Sequence, residues 1–206
     1  FINRRTKAVV LDFIGGEPLL EAALIEKICD YWFAECFRRG VPLAPFTRIS
    51  FATNGKLWFS QEAQHLFEKY HELMSVTISI DGIQELHDRY RIDADGNGSF
   101  STAWAAFQDA KSKYGWLNSK MTFVPGSFRY IADSIKMMLD EGCTDIACNY
   151  AYEPVYTPAD GLALYEQMKS VSDYIISKQL DVSITMLDDI LGGKAMNNNN
   201  FCGGTG

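Results

Sequence analysis

The stretch Leu11-Asp12-Phe13-Ile14-Gly15-Gly16-Glu17-Pro18-Leu19-Leu20 constrains this chain more than any other. An apolar run from Ala8 to Ile14 breaks at two glycines. A carboxylate follows, then a proline, then an apolar, helix-forming run. That order is a buried strand, a tight turn and a helix opened by proline, whose missing N–H costs nothing in a first helical turn. Two glycines let the backbone turn sharply and approach a ligand closely. Glu17 falls where strand becomes helix, placed to hold an ammonium group while neighbouring backbone N–H groups stay free for anions. A plain strand-to-helix turn with a solvated Glu17 is the alternative, because short motifs also match by chance.

The same alternation continues along the chain. Strands are expected at 8–14, Thr47–Thr53, Val76–Ile80, Leu117–Val124, Asp145–Tyr150 and, from its alternating pattern, 181–186. Helices are expected from about Leu19 to Arg39, from a Ser60 cap to about His71, from Ser99 or Ser101 to Tyr114, from Ser127 to Glu141, and from Pro158 to Lys178. In the first of these, Leu20, Leu24, Ile28, Tyr31 and Phe37 fall on or near one face. Strands alternating with helices at this spacing build parallel βαβ units. A closed barrel needs eight such units. The chain has room for five or six, so either the sheet is an open partial barrel or residues beyond this sequence complete it. At 206 residues it can bury one sizeable core.

Composition excludes several classes. A net charge of -7, without any run of Lys or Arg, argues against a nucleic-acid partner. No apolar stretch approaches membrane-spanning length. The five cysteines are scattered and odd in number, which suits a reducing, cytoplasmic setting rather than a disulfide scaffold. Cys29 and Cys36 share one helical pattern and read as core residues. Asp93-Ala94-Asp95-Gly96-Asn97-Gly98 opens like a calcium loop, but its twelfth position is Trp104 where a Glu is needed.

In parallel α/β folds, ligands bind at the carboxyl ends of the strands. Chemistry-bearing residues gather there repeatedly: Gly15-Gly16-Glu17 after the first strand, Thr53-Asn54-Gly55 after the second, and Ser79 with Asp81-Gly82 after the third. Arg91 follows in His87-Asp88-Arg89-Tyr90-Arg91. Asp81 reads equally as a turn carboxylate holding the loop to Arg91 or as a direct ligand contact. His87 reads as a structural hydrogen-bonding residue, His65 and His71 as surface or packing residues. Asn149, Tyr152 and Glu153 follow the fifth strand and could face a substrate.

Phe-Ile-Gly-Gly-Glu-Pro-Leu-Leu, Thr-Asn-Gly, Ser-Ile-Asp-Gly and His-Asp-Arg-Tyr-Arg, in this order over about residues 8–100, resemble the radical S-adenosylmethionine enzymes. More narrowly, the set is similar to the peptide- and protein-modifying branch with an auxiliary iron–sulfur (SPASM-type) extension. The resemblance implies an α/β partial barrel of the radical S-adenosylmethionine type over residues 1–190, with the extension beginning at 191–206. It also implies that Gly15, Gly16 and Glu17 hold the cofactor's amino group, that Ser79 contacts the cofactor, and that Arg91 reaches its carboxylate or ribose. Thr53 and Asn54 would line the site, and Cys202 would be the first ligand of an auxiliary 4Fe-4S cluster, against the plainer reading of a lone Cys in a Gly-rich loop.

The family's radical 4Fe-4S cluster is held by a Cys-x3-Cys-x2-Cys segment, and no such triplet exists in this sequence. Under the resemblance, those ligands lie upstream of Phe1, and the sequence as it stands is an inactive piece of a longer enzyme. The implied reaction is hydrogen abstraction from a peptide or protein substrate by a 5′-deoxyadenosyl radical. Ferredoxin or flavodoxin is the implied electron donor. A maturase of ribosomally made peptides and a sulfatase-maturing, formylglycine-generating enzyme both fit. Two rivals stand outside the reaction: a non-catalytic binding domain that lost the cluster, and an ordinary α/β-barrel lyase with Glu17 as base.

Overall fold

Six parallel strands run across one sheet in sequence order in the computed structural model, which describes residues 6–151 and 154–187. They are β1 (Val9–Phe13), β2 (Thr47–Thr53), β3 (Met74–Ser79), β4 (Asn118–Phe123), β5 (Asp145–Tyr150) and β6 (Ser183–Ile184). Every neighbouring pair is parallel. Parallel neighbours need long crossovers. Helices supply them: α1 (Ala22–Arg38), α2 (Gln61–Tyr70), a short α3 (Gln84–Tyr90), α4 (Phe100–Tyr114), α5 (Ile131–Asp140) and α6 (Pro158–Lys178). This is the expected α/β class, with outer helices on an open parallel sheet, as in a partial (β/α) barrel.

The strands bury one face and open the other. Ile49, Phe51, Val76, Ile78, Met121 and Cys148 are buried in one core cluster with residues of α1, α2, α4, α5 and α6. The alternate positions, among them Ser50, Ser75, Thr77, Ser79, Lys120 and Asn149, are half-buried or exposed. Parallel sheets usually have both faces covered and read as continuous apolar runs. Here the second face is polar and lies outside the helix-packed core.

Local chemistry sets the element ends. Ser60 Oγ accepts from Ala63 N and caps α2 as expected. Thr157 and Asp160 form a reciprocal capping box at α6. Several expectations about element ends need correction. The first helix begins as a 3-10 turn, Pro18–Glu21, before α1 starts at Ala22, and α5 is likewise preceded by a 3-10 turn, Pro125–Tyr130. The sixth strand shrinks to two residues. Ser99 stands at the N-cap position of α4 without capping it; Phe100 N donates instead to Asp88 Oδ1.

The face of α1 is reversed from the one the apolar spacing suggested. Leu20, Leu24, Ile28, Tyr31 and Phe37 are exposed, while Leu19, Ala22, Ile25, Cys29 and Cys36 are buried. This segment carries apolar residues on two sides, and the side with Leu19, Ala22, Ile25, Cys29 and Cys36 packs under the sheet.

Candidate functional site

Glu17 joins two strand ends. Its Oε1 accepts from Leu19 N at 3.1 Å and from Thr53 Oγ1 at 2.6 Å. Its Oε2 accepts from Asn54 N at 2.8 Å. The N–H of Leu19 is therefore engaged by Glu17 itself rather than left free for an anion. Thr53 Oγ1 in turn accepts from Gly55 N at 3.1 Å, and Asn54 Oδ1 from Lys56 N at 2.8 Å. The loops after β1 and β2 form one hydrogen-bonded unit.

Gly15 and Gly16 face open space. A Cβ added at either would meet no atom within 4 Å, and neither has a positive φ. The turn does not demand glycine for its backbone angles, so these positions contribute clearance. With Glu17, Asp12, Ile14 and the α1 residues Leu24 and Ile28, they line a groove of about 490 Å³.

Ser79 ends β3 on the open face, in register with Lys120. Beyond it, Asp81 is buried and Arg91 donates to it twice, through Nε at 2.5 Å and Nη2 at 3.0 Å. Asp81 Oδ1 also accepts from Thr122 N at 2.9 Å. Of the two readings of Asp81, the structure shows the one in which it holds Arg91. His87 is fully buried and hydrogen-bonded to Asp81 N and Ser99 Oγ. Burial pushes its pKa below the ordinary value against the pull of the Asp81 charge.

Arg91 and Asn54 line a second cavity, of about 310 Å³, together with Lys56, Asp93 and Ser99. The expected residues thus gather at the carboxyl ends of β1, β2 and β3 but border two adjacent spaces. Ser79 and Thr53 line neither. Lys56 lines the second cavity and Lys120 stands beside Ser79, and neither belongs to the motifs named above. Lys56 sits two residues past Thr53-Asn54, and Lys120 is betrayed by the polar alternation Lys120, Thr122 within β4.

Four cysteines, Cys29, Cys36, Cys143 and Cys148, are free and buried. Burial pushes the Cys143 and Cys148 thiols up to about 12. Among the described residues, no three His, Cys, Asp or Glu side chains are placed to share a metal. Cys202, Tyr152 and Glu153 lie outside the described residues, as does the expected boundary at 190. His65 is an exposed partner of Glu26, and His71 packs against Tyr114, as expected. No helix of the described residues is long and apolar enough to cross a membrane.

No protein-family model and no curated protein matches the sequence. Solved structures do match. Hexahistidine-tagged anSMEcpe with bound AdoMet superposes with a TM-score of 0.74 at 22% identity, covering 94% of this chain and 55% of that one. Native anSMEcpe with bound AdoMet and Kp18Cys peptide gives 0.73 at 22% identity, over 94% of this chain and 56% of that one. Native anSMEcpe with bound AdoMet and Cp18Cys peptide gives 0.71, again at 22%, over 88% and 51%. The likeness is one of fold, and this chain spans about half the length of those proteins.

Proposed function

We propose that this chain belongs to a radical S-adenosylmethionine enzyme that modifies a peptide or protein side chain. The observation that carries the reading is the clearance over Gly15 and Gly16 beside a Glu17 fixed by Thr53 and Asn54. A Cβ would intrude on that space, so it suits close approach of a ligand to the main chain. The fold's likeness to AdoMet-bound anSMEcpe, an anaerobic sulfatase-maturating radical enzyme, supports the same ligand.

S-adenosylmethionine presents an ammonium and a carboxylate at one end. Glu17 and the carbonyls of the glycine turn supply acceptors for the first. Arg91 supplies planar donors for the second, with Asn54 lining the same cavity and Ser79, at the end of β3, a further contact that the resemblance implies. When reductively cleaved, the cofactor supplies a 5′-deoxyadenosyl radical that takes a hydrogen atom from the substrate. The cluster that cleaves it, and an auxiliary cluster beginning at Cys202, would draw ligands from outside the described residues. A ferredoxin or flavodoxin would be the electron donor.

The open polar face of the sheet offers room for an extended peptide. Among substrates, a ribosomally made peptide under maturation remains our first reading. Sulfatase maturation is the second, and the peptides bound to anSMEcpe support a peptide substrate in either case.

The test uses the full-length protein, reconstituted without oxygen. S-adenosylmethionine binding and 5′-deoxyadenosine formation are measured for wild type and Gly16→Val. We expect product from wild type and a loss of about tenfold or more in binding for the variant, equivalent to about 1.4 kcal/mol. Unchanged binding by Gly16→Val, or no binding by wild type, overturns the reading.

A further inference from the structure

Arg91 is held from both ends. Its guanidinium donates to both oxygens of Asp81, at 2.5 and 3.0 Å. Its carbonyl accepts from Ser99 N at 3.1 Å and Ser99 Oγ at 2.9 Å. Ser99 Oγ lies 3.0 Å from His87 Nε2, and His87 Nδ1 accepts from Asp81 N at 3.2 Å. Because Nδ1 accepts, the neutral ring carries its proton on Nε2 and donates to Ser99, whose hydroxyl donates onward to Arg91. The circuit closes on itself: Asp81 N, His87, Ser99, Arg91, Asp81 carboxylate.

The two halves of the ion pair differ in exposure. The Asp81 side chain is 5% exposed and that of Arg91 30%. Asp81 is further anchored by Thr122 N. A guanidinium has five N–H donors, and the fork to Asp81 uses one on Nε and one on Nη2. Three donors are left over, and Arg91 is among the residues that line the 310 Å³ cavity. A buried ion pair is weak support for stability, since desolvation offsets its attraction. What a bidentate fork does supply is orientation: it confines a planar group to one plane and one edge.

We propose that Asp81 is a positioning residue, which fixes the Arg91 guanidinium so that its free edge grips the carboxylate of S-adenosylmethionine. The proposal rests on the cofactor reading given above. Asp81 touches no cofactor atom in this account. It acts by removing the rotational freedom that Arg91 would otherwise lose on binding.

A double-mutant cycle on the full-length protein tests it, with the dissociation constant of S-adenosylmethionine as the readout from calorimetry. Asp81→Asn, Arg91→Gln and the double variant are compared with wild type. Positioning predicts that Asp81→Asn weakens binding about tenfold with Arg91 present and less than about twofold with Arg91→Gln, a coupling between contacting residues. Asp81→Glu, which keeps the charge, recovers part of the loss. A general structural role would weaken binding equally in both backgrounds, and that additivity overturns the proposal while leaving the cofactor reading intact. No binding by wild type overturns both. Should Asp81→Asn fail to fold, Asp81→Glu completes the same cycle, with a smaller coupled loss expected and additivity again decisive.

Discussion

The Thr53 hydroxyl donates to Glu17 Oε1 at 2.6 Å across 36 residues of sequence. This bond, with Asn54 N on the other carboxylate oxygen, locks the loop after β1 to the end of β2. Hydrogen bonds to a charged acceptor contribute about 1.5–3 kcal/mol each when well placed, and Glu17 is only half-buried. Glu17→Ala is therefore expected to cost about 2 kcal/mol, read as a melting temperature lower by about 4–8 °C. Thr53→Val should lose a smaller part of the same amount. A Glu17→Ala protein that melts with wild type would show that the loops are held by something else.

Gly82 turns the chain between β3 and α3 with φ at +115°, and a Cβ there would lie 2.0 Å from Ser134 Oγ and 3.1 Å from Ser134 Cα. Backbone strain and overpacking act together, each worth about 1–3 kcal/mol. Gly82→Ala should lower stability by about 3 kcal/mol or more in urea unfolding. Gly15→Ala, with its open surroundings, should leave stability within about 0.5 kcal/mol. Equal effects at the two positions would contradict the geometry.

Burial pushes the thiols of Cys29 to about 11 and of Cys143 and Cys148 to about 12, and raises that of Cys36 as well. The thiolate is the reactive form. At pH 8 iodoacetamide should leave these four unmodified in the folded protein and alkylate all of them in guanidinium, as mass spectrometry would read. Rapid native labelling of any of the four would remove it from the core.

His87 makes stability depend on pH in a stated direction. Its folded pKa lies below its ordinary value because burial disfavours the charged ring. As pH falls through about 6.5, the unfolded chain takes up a proton that the folded chain refuses, so stability falls until the lowered folded pKa is passed. The slope from one proton is at most about 1.4 kcal/mol per pH unit. Glu26 and Asp30, whose carboxyls are held low by Lys69, lose their contribution only at more acid pH. Urea unfolding between pH 7.5 and 5.5 should show the fall in wild type and a flatter profile in His87→Gln. A profile unchanged by the substitution would place the titration elsewhere.

The order of elements, and the strand ends that carry chemistry, follow from local pattern alone. Apolar runs of strand length, separated by helical stretches, favour parallel βαβ units. Ser60 before Gln61 and Thr157 before Pro158 mark helix starts through bonds made within three residues. The alternation Val76, Thr77, Ile78, Ser79 already states that β3 has one wet face.

Partners far apart in the chain emerge only once the sheet has formed. Glu17 finds Thr53, and Asp81 takes both Arg91 and Thr122, because parallel register brings successive strand ends side by side. Ser99 sits where a cap belongs, yet its hydroxyl is drawn to His87 and Arg91, whose positions no local pattern reveals. Spacing put Leu20, Leu24, Ile28 and Tyr31 on one side of α1, but periodicity defines a side without saying which way it turns. The close fit of Ala22, Ile25 and Cys29 under the sheet settled that, because packing depends on volume and shape across elements and periodicity within one helix does not report them.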